Sequence, residues 1–263
     1  MKVTILASGS KGNSTYIETP KTKILIDAGI SYLQIKQRLN EEKIELCNID
    51  AIFVSHEHAD HVLYLASVLC RTNAKLYIDK ISYDIINKKT NNSLLPFEVT
   101  FIKDDLKYQL EDIVVVPISL SHDSKAIHGF LMKELNTDVN KTFASITDTG
   151  IIPQKYFPIL SSINTIFIES NHDVEMLMSS RRPWILIQRI LSPKGHLSNQ
   201  ECMEYLTKFV SKHTKNIILA HLSEDCNLEK LAEAECYKYF TESLPFKLYI
   251  AKQYEELPLI EVE

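Results

Sequence analysis

Short apolar runs separated by polar segments recur along the whole chain, and they predict alternating strands and helices. Runs rich in Val and Ile, such as residues 51–54 and 114–118, are typical of buried strands. Residues 32–42 and 199–212 have the composition and apolar spacing of amphipathic helices. Further strands are predicted at residues 3–6, 15–18, 23–27, 75–78, 99–102, 129–134, 143–147, 165–169, 216–220 and 247–250, and further helices at 61–70, 80–88, 228–240 and just after Pro153. Two sheets covered by helices on their outer faces accommodate this order, so we expect one α/β domain over residues 1–263.

Histidine or aspartate follows directly after several of the predicted strands. The densest case is His56-Glu57-His58-Ala59-Asp60-His61, just beyond the strand at residues 51–54. In an extended chain side chains repeat every two residues, so His56 and His58 project on the same side and can bind one ion. Asp60 and His61 lie where the chain turns into a helix, and they are placed to hold a second ion. The residues that follow the other strands in this way are Asp27, His122, Asp148 and His221.

Composition narrows the class of protein. The 263 residues are 45% hydrophobic and 24% charged, as expected for an ordinary soluble globular protein, and no membrane partner is expected. No segment approaches the ~20 apolar residues of a membrane span, and the N-terminal strand lacks a secretory cleavage signal, so we expect a cytoplasmic protein. The five cysteines form no CxxC pair, which argues against a disulfide framework or a structural zinc ribbon.

The net charge of −5 argues against a protein that coats nucleic acid through charge alone. A metal-dependent nuclease remains open, because ions and a local basic patch can hold phosphates. Basic residues that form such a patch, or are merely scattered and solvated, are Lys11, Lys125, Arg181, Arg182, Arg189 and Lys194.

The order and spacing of these histidines and aspartates resemble the metallo-β-lactamase superfamily over nearly the whole chain. That resemblance implies an αββα sandwich, with two mixed β-sheets flanked by helices, and two divalent ions (Zn, Mn or Fe). The implied ligands are His56, His58 and His122 for one ion, Asp60, His61 and His221 for the other, and Asp148 between them. Asp27 is similar to the family's aspartate that orients a ligand histidine.

Four further motifs, at residues 6–14, 168–173, 195–199 and 220–223, resemble the YycJ group of this superfamily, also called WalJ or VicX. The likeness implies a 5′-to-3′ exonuclease that acts on double-stranded DNA. Residues 125–128 and 225–227 depart from the pattern of the group, which leaves the detail of substrate contact open.

The resemblance also implies a mechanism. A hydroxide between the two ions would attack phosphorus, because coordination lowers the pKa of water toward ~7. His196 would protonate the leaving oxygen, and Glu169, at the end of its own strand, would orient that imidazole. Asp60 is counted with these catalytic residues as well as with the ligands.

Substrate contacts are predicted on both sides of this centre. Ser8, Ser10, Lys11 and Asn13 belong to a turn that fits either a hairpin with glycine at positive φ or a backbone-amide cradle for phosphate. Further substrate contacts are assigned to Asn171 and to His172, which either lines the substrate channel or caps the next helix.

Other functions are compatible with the same centre. They are an RNA-processing phosphodiesterase, a small-molecule hydrolase such as a lactonase or cyclic-nucleotide esterase, and a metal-binding regulatory protein without turnover. His196 and Glu169 argue against the last, since a structural role needs no general acid.

Overall fold

Two seven-stranded sheets form the centre of the computed structural model, which describes residues 1–240 and 245–263. The strands are β1 (Lys2–Ala7), β2 (Ser14–Glu18), β3 (Lys23–Ile26), β4 (Ala51–Phe53), β5 (Lys75–Asp79), β6 (Val99–Ile102), β7 (Tyr108–Leu110), β8 (Ile113–Ser119), β9 (His128–Glu134), β10 (Thr142–Ile146), β11 (Thr165–Glu169), β12 (Asn216–Ala220), β13 (Lys247–Ile250) and β14 (Ile260–Glu261). The α-helices are α1 (Tyr32–Glu41), α2 (Ala59–Val62), α3 (Leu65–Leu69), α4 (Lys80–Lys89), α5 (Phe157–Leu160), α6 (Val174–Ser179), α7 (Trp184–Ile190), α8 (Asn199–Phe209) and α9 (Glu229–Phe240), with 3-10 turns at Leu46–Asn48 and Gln154–Tyr156.

Both sheets are mixed. The first has the order β14-β1-β2-β3-β4-β5-β6 and is parallel from β3 to β6; the second has the order β13-β12-β11-β10-β9-β8-β7 and is parallel from β10 to β13. The remaining pairings are antiparallel. The predicted αββα sandwich of two mixed sheets flanked by helices is therefore confirmed.

Alternation along β4 shows how the layers form, because successive side chains of a strand face opposite sides. Ile52 packs in the cluster that contains Ile35 and Leu39 of α1, whereas Phe53 packs in the cluster between the sheets. There its ring lies edge-on to Phe130 of the second sheet, with the ring centroids 5.7 Å apart. Burying such a side chain contributes about 1.5–3 kcal/mol, so these contacts hold the sheets together.

The parallel strands bring the predicted site residues to one edge. The carboxyl ends of β3 and β4 lead to Asp27 and His56, and those of β10 and β12 lead to Asp148 and His221. Loops after parallel strands are where α/β sheets collect ligands.

Some elements differ from the sequence prediction. The helix expected at residues 61–70 is two short helices, α2 and α3, because the Tyr64 amide donates to the Ala28 carbonyl (3.1 Å) instead of continuing the helical ladder. The helix expected at 199–212 ends at Phe209, and the sequence prediction missed β7, β14, α6 and α7. All five cysteines are free, and no helix of the described residues is long and apolar enough to span a bilayer.

Candidate metal centre

Three site residues adopt a left-handed backbone conformation at the ends of strands. Asp27, Asp148 and His221 have φ values of 62°, 55° and 54°. Aspartate and histidine enter this region several-fold more often than most other residues, although it still costs energy. Each tight reversal leaves a ligand-capable side chain buried at the shared edge of the sheets.

The first cluster consists of His56, His58 and His122, whose candidate ligand nitrogens lie within 4.8 Å of one another. His56 is fully buried and its Nε2 has no hydrogen-bond partner among the described residues. Burial, together with the neighbouring His61, lowers the pKa of His56 well below its ordinary value, so its imidazole is neutral, the form that binds metal. Nδ1 of His122 is 3.1 Å from the carbonyl oxygen of Gly195, which leaves Nε2 for an ion.

The second cluster consists of Asp60, His61, Asp148 and His221, again within 4.8 Å. One oxygen of Asp148 lies 3.2 Å from Nε2 of His61, and the other lies 3.4 Å from Nε2 of His221. Oδ2 of Asp60 is 3.4 Å from Nε2 of His61. The Asp148 carboxylate thus lies between two imidazoles, at the centre of the cluster.

The charges in this cluster compensate one another. Burial alone would lower the pKa of His61 and His221, but the neighbouring carboxylates of Asp60 and Asp148 raise both pKa values well above the ordinary range. Burial would raise the pKa of Asp148, but His221 and His61 bring it well below its ordinary value. Divalent cations would neutralise the same carboxylates and displace the imidazole protons.

The donor atoms fit metal ions. Buried polar atoms nearly always have a partner, yet His56 Nε2, Asp148 Oδ2 and His221 Nε2 have no hydrogen bond among the described residues. Imidazole nitrogens and carboxylate oxygens suit zinc, manganese or iron.

Asp27 orients the His61 imidazole through a hydrogen bond to the ring nitrogen that is not part of the second cluster. Nδ1 of His61 donates to Oδ2 of Asp27 at 2.7 Å, which leaves Nε2 facing the second cluster. Ser55 donates to the same carboxylate through its amide and its hydroxyl, each at 2.8 Å. Sequence reasoning missed Ser55, whose only signal is its position beside His56.

Glu169 has four hydrogen-bonding contacts in the interior. The Nδ1 atoms of His196 and His221 lie 2.7 and 3.0 Å from its Oε1, and the amides of Thr149 and Leu197 donate to Oε2. Burial alone would raise the pKa of Glu169, but the adjacent His196 lowers it to about 2. Glu169 is therefore an anion that orients two imidazoles.

His196 lies between the two clusters. Its ring centroid is 4.9 Å from that of His122 and 5.3 Å from that of His221. Its side chain is 16% exposed, more than those of its two neighbours. Although burial opposes the charge, Glu169 raises the pKa of His196, so its protonated form extends to higher pH.

For the turn that contains Ser8, Ser10, Lys11 and Asn13, the structure favours the hairpin alternative over the amide cradle. Amides along this turn already donate within the protein: that of Ser8 to Lys252 O, Gly9 to Asn13 Oδ1, Lys11 to Gln253 Oε1, Gly12 to Gly9 O and Asn13 to Asp60 O. The hydroxyl of Ser8 accepts from the His221 amide, Nδ2 of Asn13 lies 3.2 Å from Oδ2 of Asp60, and Ser10 points outward. With Gly9 and Gly12 at positive φ, this turn links two strands and holds ligand loops.

The other two predicted substrate contacts, Asn171 and His172, are both buried. The side-chain amide of Asn171 donates to the backbone carbonyl of His221 at 2.8 Å, so it positions a candidate ligand. His172 is completely buried, and the residue that caps α6 is Asp173 rather than His172.

Three of the basic residues are already paired. Lys11 lies 2.6 Å from Glu224, Arg182 lies 3.0 Å from Asp225 and Arg189 lies 2.8 Å from Asp123. Lys125 and Lys194 are exposed and form no ion pair within residues 1–240 and 245–263.

Comparison with known protein families shows to which superfamily the chain belongs. The model of the β-lactamase superfamily domain matches residues 22–221, which carry the whole set of candidate ligands. The chain belongs to the β-lactamase superfamily. This confirms the family predicted from the motifs, and a solved structure shows the same fold. The metallo-β-lactamase fold protein YhfI from Bacillus subtilis superposes with a TM-score of 0.72 at 13% identity, covering 98% of this chain and 99% of that one.

Two superfamily members of curated name are similar over most of their length. Exodeoxyribonuclease WalJ of Streptococcus pneumoniae serotype 2 (strain D39) is 33% identical over 268 residues, covering 99% of this chain and 98% of the relative. Exodeoxyribonuclease YycJ of Bacillus anthracis is 33% identical over 228 residues, covering 87% and 84%. The predicted resemblance to the YycJ/WalJ group is confirmed.

Proposed function

We propose that this chain is a metal-dependent exodeoxyribonuclease that hydrolyses double-stranded DNA from its 5′ ends. The observation that carries the proposal is the juxtaposition of two ligand clusters with an imidazole that a buried carboxylate holds in place. The names of the two relatives support a nuclease that hydrolyses phosphodiester bonds, and the family resemblance supplies the preference for duplex DNA and the polarity.

Seven side chains are assigned to two divalent ions. His56, His58 and His122 would hold one ion, Asp60, His61 and His221 would hold the other, and the family resemblance assigns Asp148 to both. Bound ions would supply electrophilic stabilisation of the phosphate and a lowered pKa of water. Asp27 keeps Nε2 of His61 directed at its ion, as partners of ligand histidines commonly do.

The remaining step falls to His196 and Glu169. Because Nδ1 of His196 donates to Glu169, the second proton of the imidazolium is on Nε2. That atom is the donor available to the leaving oxygen of the phosphodiester. Asp60 borders the same space as a ligand of the second cluster, which agrees with its place among the catalytic residues.

Both sheets contribute to the centre, which supports the predicted single domain over residues 1–263. Loops after β3 and β4 supply Asp27 and His56, while loops after β10 and β12 supply Asp148 and His221. A cytoplasmic location, with duplex DNA as the partner, completes the proposal.

The test is digestion of duplex DNA that carries a label at either the 5′ or the 3′ end. Purified protein with Mn²⁺ or Zn²⁺ should release the 5′ label first as a mononucleotide and should degrade single strands and RNA more slowly. His56→Ala is the matched inactive control. Hydrolysis of a small phosphodiester or lactone without digestion of DNA would overturn the proposal, and release from the 3′ end would overturn its polarity.

A further inference from the structure

A cavity of about 370 Å³ opens beside the first ligand cluster, and the mechanism above does not use it. His122 lines one side, and the others include Ser124, Lys125, His128 and Lys194. Its volume lies within the range of small-molecule sites, about 300–1,000 Å³. The loop that forms this wall is tied to the ligand motif, because the Lys125 amide donates to Glu57 Oε1 at 2.9 Å. A ligand in this cavity would therefore lie against the catalytic centre.

Unpartnered buried atoms point to such a ligand. Among the described residues, buried side-chain atoms without a hydrogen bond include three candidate ligand atoms, the two ring nitrogens of His172, and two atoms that belong to residues lining the cavity. Those two are Ser124 Oγ and His128 Nε2, and His128 is only 5% exposed. Buried polar atoms are rarely left without a partner, so hydrogen-bonding groups are expected to enter here.

The charges on the wall define the kind of ligand. Lys194 precedes Gly195, whose carbonyl contacts His122, so a positive charge lies beside the first cluster. Around His128 the wall is acidic: its Nδ1 lies 2.8 Å from Asp104, and its Nε2 lies 3.6 Å from Asp79. An anionic group fits the side with the lysines, and a neutral group rich in hydrogen-bond donors fits the side with the carboxylates.

We propose that this cavity holds one deoxynucleoside monophosphate unit, first as part of the substrate and then as the product. The phosphate lies against Lys125 and Lys194, and the nucleoside lies against Ser124 and His128. Carboxylates accept from exocyclic amino groups of bases, as aspartate does from cytosine, so Asp79 and Asp104 suit that end. The inference rests on the proposed function, since an exonuclease must release a mononucleotide next to its metal centre.

The test is calorimetric titration of the Mn²⁺-loaded protein with deoxycytidine 5′-monophosphate, 2-deoxyribose 5-phosphate and inorganic phosphate. The nucleotide should bind at least about tenfold more tightly than either base-free compound, because only it satisfies the wall around His128. Ser124→Ala should remove most of that difference and leave the affinity for inorganic phosphate unchanged. Lys125→Ala combined with Lys194→Ala should weaken the binding of every phosphate compound. As a control, Lys133→Ala, which replaces an exposed lysine outside the cavity, should leave all three affinities unchanged.

His128→Asn gives a second test of the same wall, because the asparagine amide can still donate to Asp104 while Nε2 is removed. Equal affinity of the wild type for nucleotide and inorganic phosphate would overturn the subsite, as would wild-type nucleotide affinity in both Ser124→Ala and the double lysine variant. Duplex digestion separates the two proposals. If the protein digests DNA but its cavity variants bind nucleotide normally, only the subsite proposal is refuted. If it binds nucleotide as expected but cuts no DNA, only the nuclease proposal is refuted.

Discussion

Replacing His196 by alanine separates proton donation from metal binding. The imidazole lies between the two clusters, and Glu169 holds its Nδ1 at 2.7 Å, which leaves Nε2 for the leaving oxygen. Loss of a general acid typically lowers the rate about 10²–10⁴-fold. We therefore expect kcat on duplex DNA to fall by that factor, equivalent to about 3–5 kcal/mol of activation free energy.

The fold should tolerate this substitution. Glu169 keeps its contacts with His221 and with the amides of Thr149 and Leu197, so no buried carboxylate is left alone. The assay is single-turnover digestion together with elemental analysis of the same preparation. Full metal content with slow cleavage is expected, whereas His56→Ala should lose metal.

One result would refute this reasoning. Asp148, Glu169, His196 and His221 also form a group that could hold an ion. If His196→Ala loses an ion that the wild type binds, His196 is a ligand and not the acid.

Four other changes test the surroundings of the centre. Asp27→Asn introduces a residue that also tolerates the positive φ, but it holds the His61 imidazole less firmly. Metal affinity, measured by chelator competition, should therefore fall about 10–100-fold, and an unchanged affinity would contradict this role of Asp27. Gly29→Ala would place a Cβ 1.7 Å from a carbonyl oxygen of the ligand loop; a lower unfolding temperature and reduced metal content are expected, and normal values for both would show that the close approach is not required. Lys11→Ala should change KM for DNA less than about twofold, because this lysine pairs with an acidic neighbour at the surface; a larger increase would restore the turn as a substrate contact. Glu169→Gln should lower the pKa of His196, which this carboxylate raises. Because a general acid loses its proton as pH rises through its pKa, the decline of kcat at alkaline pH should move to lower pH. An unchanged pH dependence of kcat would exclude this pair from catalysis.

The sequence by itself determined the kind of centre and most of the elements that carry it. Apolar runs predicted most strands, because a strand that is buried on both faces needs Val and Ile in an unbroken series. The five strand ends that carry Asp27, His56, His122, Asp148 and His221 were visible because these side chains follow directly after those runs. The short strands β7 and β14 escaped notice because two or three residues are too few to show a strand pattern, and β14 also depends on a distant partner, β1.

Only the tertiary structure decided what the polar residues near the centre do. The sequence of the turn after β1 fits either a hairpin or a phosphate cradle, but in the structure the Lys11 amide donates to Gln253, some 240 positions away in sequence. Ser55 has no local signature, and its role arises where β3 and β4 lie side by side. A hydrogen bond depends on which atoms lie within about 3 Å, and a one-dimensional pattern contains no such distances between remote segments. For the same reason the cavity around His128 became visible only in the folded chain, where Asp79, Asp104 and Lys194 line the same space.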